Sequence, residues 1–224
     1  MKKKPRLLIV IITSVIFTIL LVVFIPFTIL GVNTKRIINK WEYLKEDATY
    51  STKVEITNLN LVKQEVSCGY ATIEMLSEYY GNKVTEKDLD TKNKGGVSTS
   101  STDGFLKEIN ASIPSQTFGK KTYLNNDAFL KEIHQSLKNN NPVAIEWAAL
   151  FEEKEWTLHF SIVTSLDLSN DNVTIYNPYG YVENIKVDEF LNRTTFKAYK
   201  NLPLFLNFGF AFGAFHKNTL FYAK

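Results

Sequence analysis

The chain has 224 residues, 45% hydrophobic, 22% charged and 13% aromatic, with no low-complexity tract and no internal repeat. That composition suits one folded domain of ordinary size plus an appendage. The net charge is +3, and Lys2, Lys3, Lys4 and Arg6 more than account for it; the remainder is nearly neutral, which argues against a nucleic-acid footprint built on clustered positive charge.

From Leu7 to Leu30 no side chain is charged, and Leu, Ile, Val and Phe dominate. A helix needs about 20 apolar residues to cross a bilayer, so this run predicts a tilted transmembrane helix, with Pro26 as a kink or an end. It is longer than the apolar core of a signal peptide, and "FTILGVNTKR" holds no A-x-A-like cleavage site, so the reading is an uncleaved anchor. The basic cluster before the run outweighs Lys35, Arg36 and Lys40 after it, which places the N-terminus in the cytoplasm and the rest outside the cell membrane as a single-pass protein. The expected organisation is a basic tail over 1–6, an anchor over 7–30, a stalk over 31–55 and one α+β domain over 56–224.

In the stalk, Ile37, Ile38, Trp41 and Leu44 have helical spacing, so a juxtamembrane helix is expected between Thr34 and Asp47. Residues 49–62 read as extended. A helix is expected from about Ser67 to Tyr80 with Gly81 closing it, a short one within "VTEKDLDTKNK", and a third near Phe105 to Asn110. Phe129, Ile133 and Leu137 mark a fourth from Asp127 to Lys138, with Asn126 as N-cap. The period then changes. "PVAIEWAAL", "WTLHFSIVTSL", "VTIYN" and "YVENI" read as strands separated by "LSNDN" and "PYG" turns. Helices followed by an antiparallel sheet make an α+β arrangement. The segment Leu202–Phe215, "LPLFLNFGFAFGAF", is too short to span a membrane and reads as a buried element closing the core, with contact to lipid as the other reading.

Cys68 is the only cysteine, so it forms no intramolecular disulfide. It is either a small buried hydrophobe or a reactive thiol. With Ser67 as N-cap it stands in the first turn of a helix, where free amides and the helix dipole favour a thiolate. Gly69 beside it permits close approach of backbone or substrate. A nucleophile needs a base, and there are three histidines. His134 reads as a surface residue on the polar side of its helix, and His216 as exposed near the C-terminus. His159 lies mid-strand on the parity shared with Thr157 and Ser161. A third group would orient its imidazole, and Asp167, Asp171 and Asn177 all follow it; the two aspartates flank a turn and read as solvated. The strand register that would decide whether Asn177 reaches His159 is not given by the sequence. No H-E-x-x-H, G-x-S-x-G, P-loop or dinucleotide fingerprint is present, so no metal or other cofactor is expected.

The blocks "QEVSCGYATIEML", "WTLHFSIVTSLD" and "IYNPYG" resemble the cysteine, histidine and aspartate blocks of the C39-like peptidases, a branch of the papain-like cysteine peptidases. The resemblance covers about Val62 to Ile185. It implies a papain-like fold and a peptide or protein substrate. By the same match Cys68 is nucleophile, His159 general base and acid, Asn177 the orienting residue and Gln64 the oxyanion-hole glutamine. Two features depart from the family pattern: Asn177 replaces an aspartate, and Gln64 stands only four residues before Cys68, closer than the family places it. The activity implied is amide hydrolysis through an acyl-enzyme, the other reading being a membrane-tethered papain-like binding module with weak or no catalysis.

Overall fold

The computed structural model describes residues 9–22, 37–151, 155–196, 209–210 and 215–224. The chain divides into two units, Met1–Arg36 with Pro203–Phe215, and Ile37–Leu202 with His216–Lys224. In the first unit, residues 9–22 form helix α1, and its apolar side chains, Ile9, Ile16 and Phe17 among them, are exposed. Among the described residues no helix is long and apolar enough to cross a membrane. Residues 7–8 and 23–30 of the expected anchor lie outside them, as do 202–208 and 211–214 of the phenylalanine-rich segment.

The second unit is α+β. Its helices are α2 (Cys68–Tyr79), α3 (Glu86–Lys92), α4 (Thr102–Ser112), α5 (Asn126–Lys138) and α6 (Val187–Thr194), and its strands are β1 (Val54–Glu55), β2 (Phe118–Lys121), β3 (Val143–Phe151), β4 (Glu155–Asp167), β5 (Asn172–Asn177), β6 (Tyr181–Ile185) and β7 (Thr219–Ala223). One antiparallel sheet runs β2-β7-β3-β4-β5-β6, and β1 joins β4 beyond the end of β3. Both faces are covered, because alternate residues of a strand project to opposite sides. Phe160 of β4 stacks on Phe105 of α4 at 4.3 Å, with Phe221 of β7 alongside. On the other face Trp147 of β3 meets Phe190 of α6, which stacks on Phe129 of α5.

Local chemistry accounts for the helix ends. Ser67 caps α2 by accepting from the Tyr70 N–H at 3.1 Å. At the other end Gly81, at φ +74°, lets the Asn82 and Gly81 amides reach the Ser77 and Glu78 carbonyls, a Schellman closure. Thr85 and Asp88 form a capping box on α3. The N-cap of α5 is Asn125, not Asn126: Asn126 turns inward, where its carbonyl accepts from Asn218 Nδ2 at 2.9 Å and its amide donates to Asn39.

The stalk expectation changes. Among residues 37–47 only Glu42–Lys45 is helical, as a 3-10 turn, and Trp41 and Leu44 are buried in the core cluster. The apolar spacing that read as a juxtamembrane helix is the contact face of a segment that belongs to the domain. Strands β2 and β7 and helix α6 were not anticipated. The first two, "FGKK" and "TLFYA", lack the apolar–polar alternation by which a strand is legible.

Candidate active site

Cys68 is the first residue of α2, and helix and sheet meet there: the backbone N–H of Phe160, next to His159 on β4, lies close enough to Cys68 to lower the pKa of its thiol. The loop before it is held from two sides. The Glu86 carboxylate accepts from the N–H groups of Glu65, Val66 and Ser67 at 2.7, 2.8 and 2.6 Å. The Gln64 N–H donates to the Pro178 carbonyl at 2.7 Å, tying the cysteine block to the Asn177 turn. Gly69 leaves room for Thr99, whose Oγ1 would lie 2.2 Å from any Cβ added there. Glu86 and Thr99 were not found by sequence reasoning, since each comes from a separate element.

His159 is buried, and its Nε2 lies 2.8 Å from Asn177 Oδ1. A β-bulge brings them together. Strands β4 and β5 pair Leu166 with Val173 and Ser165 with Thr174, then shift, pairing Val163 with Ile175 and Ile162 with Tyr176. One step further sets Asn177 opposite Ser161, on the face of His159. Were Thr164 paired in the ladder with Ile175 instead of bulging, Asn177 would oppose Ile162, and Asn177 and His159 would lie on opposite faces.

The tautomer follows from the partners. Asn177 Oδ1 also accepts from the Tyr179 N–H at 2.9 Å, and Asn177 Nδ2 donates to Glu183 Oε1 at 2.7 Å. A backbone N–H only donates and a carboxylate only accepts, which fixes the amide's orientation. His159 must therefore donate from Nε2, leaving Nδ1 with a lone pair. Tyr179 stacks on the His159 ring at 4.0 Å; burial raises its phenol's pKa, and the charge of a Cys68 thiolate adds to that rise.

Burial dominates the protonation states. Desolvation raises the Cys68 thiol to about 11, against the lowering effect of the Phe160, Gly69 and Cys68 amides. The amides at the helix start do lower the thiol, as expected, but loss of hydration is the larger effect even though Cys68 is half-buried. Desolvation likewise lowers His159 to about 3, opposed by its bond to Asn177. The pair rests as neutral thiol and neutral imidazole.

The remaining candidates lie elsewhere. Asp167 is buried and accepts from Ser169 Oγ and from both nitrogens of Asn170, closing its turn. It is not the solvated residue expected. Asp171 faces Lys45 at 3.9 Å. His134 is buried, contrary to expectation, because Tyr50 and the Thr52 carbonyl cover the polar side of α5; Nε2 donates to that carbonyl at 3.2 Å. His216 is half-buried, with Nδ1 3.2 Å from Thr102 Oγ1. Glu146 of β3 is buried beside this group, and desolvation raises its carboxyl to about 8 despite Lys120 and the His216 amide. Gln64 Oε1 is buried with no hydrogen-bond partner. No cluster of three metal-ligating side chains occurs among the described residues.

Comparison with solved structures finds similarity to a double glycine motif protease from an AMS/PCAT transporter, crystallised in complex with the leader peptide. The two share 15% identity with a TM-score of 0.49, over 76% of this chain and 97% of that one. Comparison with curated proteins returned no match. The model of the Peptidase_C39 like family matches residues 56–203, which include Gln64, Cys68, His159 and Asn177. On that match the chain belongs to the Peptidase_C39 like family.

Proposed function

We propose that this protein is a membrane-anchored cysteine peptidase that hydrolyses an amide bond of a peptide or protein through Cys68, His159 and Asn177. The observation that carries the reading is the His159–Asn177 hydrogen bond at 2.8 Å, whose partners leave Nδ1 unprotonated and free to act as a base. Family membership supports a peptidase-type function. In the reaction Nδ1 takes the Cys68 proton as sulfur attacks the carbonyl, then returns it to the leaving amine; water releases the acyl group by the reverse route. The Cys68 amide at the start of α2 faces the developing oxyanion. Gln64 supplies a second donor: half a turn of its amide exchanges the unpartnered Oε1 for Nε2. The uncharged run from Leu7 to Leu30 and the exposed apolar side chains of α1 support a single membrane anchor, with the N-terminal basic cluster on the cytoplasmic side.

The test is cleavage of a peptide library followed by mass spectrometry, with trapping of an acyl adduct on Cys68. Cys68→Ser and His159→Ala abolish both signals while the fold persists, and Gln64→Ala lowers kcat by about 10²-fold. A second reading, a papain-like binding module, is favoured by one observation, the thiol raised to about 11. It is the correct reading if the parent protein cleaves nothing and retains peptides from the library irrespective of Cys68→Ser.

A further inference from the structure

Behind Asn177 lies a chain of charged side chains with no direct contact to the nucleophile. Glu183 of β6 accepts from Asn177 Nδ2 at 2.7 Å through Oε1, and from Arg193 of α6 at 2.7 Å through Oε2. Arg193 donates from Nε to Glu189 at 2.8 Å, and its guanidinium lies 4.9 Å from the Trp147 ring and 5.3 Å from that of Trp156. The Glu183 and Arg193 side chains are only 13% and 12% exposed, so the pair is little weakened by solvent.

We propose that Glu183, held by Arg193, is a positioning residue that sets the protonation site of His159 by fixing the orientation of the Asn177 amide. An asparagine amide is nearly symmetric in shape, and a half-turn exchanges its oxygen for its nitrogen. In the orientation present, Oδ1 faces His159 and Nε2 carries the proton. In the other, Nδ2 faces His159, Nε2 must accept, and the proton moves to Nδ1, where it blocks removal of the Cys68 proton. The carboxylate behind the amide, which would meet Oδ1, rejects that second orientation together with the Tyr179 N–H, which would meet Nδ2. The group of two carboxylates and one guanidinium also carries one net negative charge, which strengthens Oδ1 as acceptor for the imidazolium formed in the reaction. This rests on the reading of Cys68 and His159 as nucleophile and base.

Glu183→Gln is the discriminating substitution. Its two ends are one acceptor and one donor, and it faces two donors, Asn177 Nδ2 and Arg193. With the Gln oxygen on the cation, its NH2 group turns to Asn177 and favours the flipped amide. Asn177→Asp sets two carboxylates against each other in the parent background, and Glu183→Gln relieves that clash. The experiment uses the full chain in detergent micelles, with 15N-histidine labelling assigned by difference against His159→Gln, and iodoacetamide as the probe of Cys68.

In the parent, His159 Nε2 carries the proton. Glu183→Gln is expected to populate the Nδ1-protonated form and slow Cys68 alkylation about tenfold, the equivalent of one pKa unit at the base. Asn177→Asp alone is slowed, and the double variant returns to within about threefold of the parent, a coupling that two independent structural defects would not produce. The proposal is overturned if folded Glu183→Gln and Glu183→Ala both keep the parent tautomer and alkylation rate, or if the double variant is slower than either single one. The nitrogen shifts are read whether or not the protein cleaves a peptide. Loss of the nucleophile–base reading appears separately, as a His159→Gln alkylation rate equal to the parent's.

Discussion

Cys68 and His159 both rest uncharged, for one reason. Each charged form would lose more hydration on burial than nearby amides restore, which puts the thiol at about 11 and the imidazole at about 3. Under the proposed mechanism, Cys68 and His159 then exchange a proton only as an electrophile arrives. Without substrate, iodoacetamide is expected to alkylate Cys68 more slowly at pH 7 than it alkylates a free small thiol, with the rate climbing towards pH 11; a plateau below pH 7 would mean a preformed ion pair. Glu146 is another buried acid held uncharged by desolvation. Its carboxyl moves from 4.5 to about 8 on folding, so the native state holds a proton that the unfolded chain releases. Stability is fully present below pH 4.5, is lost as pH rises through the window to 8, and stays reduced above it. Glu146→Gln removes this loss. Thermal midpoints at pH 5 and pH 8 are expected to lie closer together in the variant than in the parent, and equal spacing would show that Glu146 does not titrate there.

At the scale of elements, the position of Cys68 depends on α3 as much as on its own helix. Glu86, near the start of α3, gathers three successive amides of the Glu65–Ser67 loop onto one buried carboxylate. Those N–H groups point to the same acceptor because the chain curls around it before entering α2. Glu86→Ala leaves three donors unsatisfied and is expected to cost about 3 kcal/mol in unfolding free energy. It also lowers turnover, because the loop carries both Gln64 and the cap of α2. Glu86→Gln keeps an acceptor and loses less. Denaturant titration of both variants checks the order, and a neutral Glu86→Ala would mean that water replaces the carboxylate.

For the molecule as a whole, the two units carry different physics. The unit holding α1 exposes apolar side chains, whereas the unit from Ile37 buries Trp41, Leu44 and both faces of the sheet. Removing residues 1–36 is therefore expected to move the protein from the membrane fraction to the soluble fraction without loss of the folded domain. Protease added to intact cells is expected to remove the domain of the full chain; survival until permeabilisation would reverse the orientation.

The sequence by itself determined the elements whose cause is local. Ser67, Gly81, Thr85 and Asp88 end their helices through contacts a few residues away, and the long alternating runs of β3 and β4 mark themselves. Cys68 and His159 were legible because cysteine and histidine are scarce and these two stand at a helix start and mid-strand, whereas Asn177, one of twenty asparagines, was singled out only by the resemblance of "IYNPYG" to the third block of the family. What only the tertiary structure decided are the relations between elements. A single bulge at Thr164 chooses which face Asn177 presents, and no local pattern signals it. Covering segments reversed the surface reading of His134, since a helix's polar side stays exposed only while nothing packs on it. The charge state of Cys68 was decided the same way. A helix start favours the thiolate through nearby amides, but desolvation depends on everything that folds around the sulfur, and here it is the larger effect.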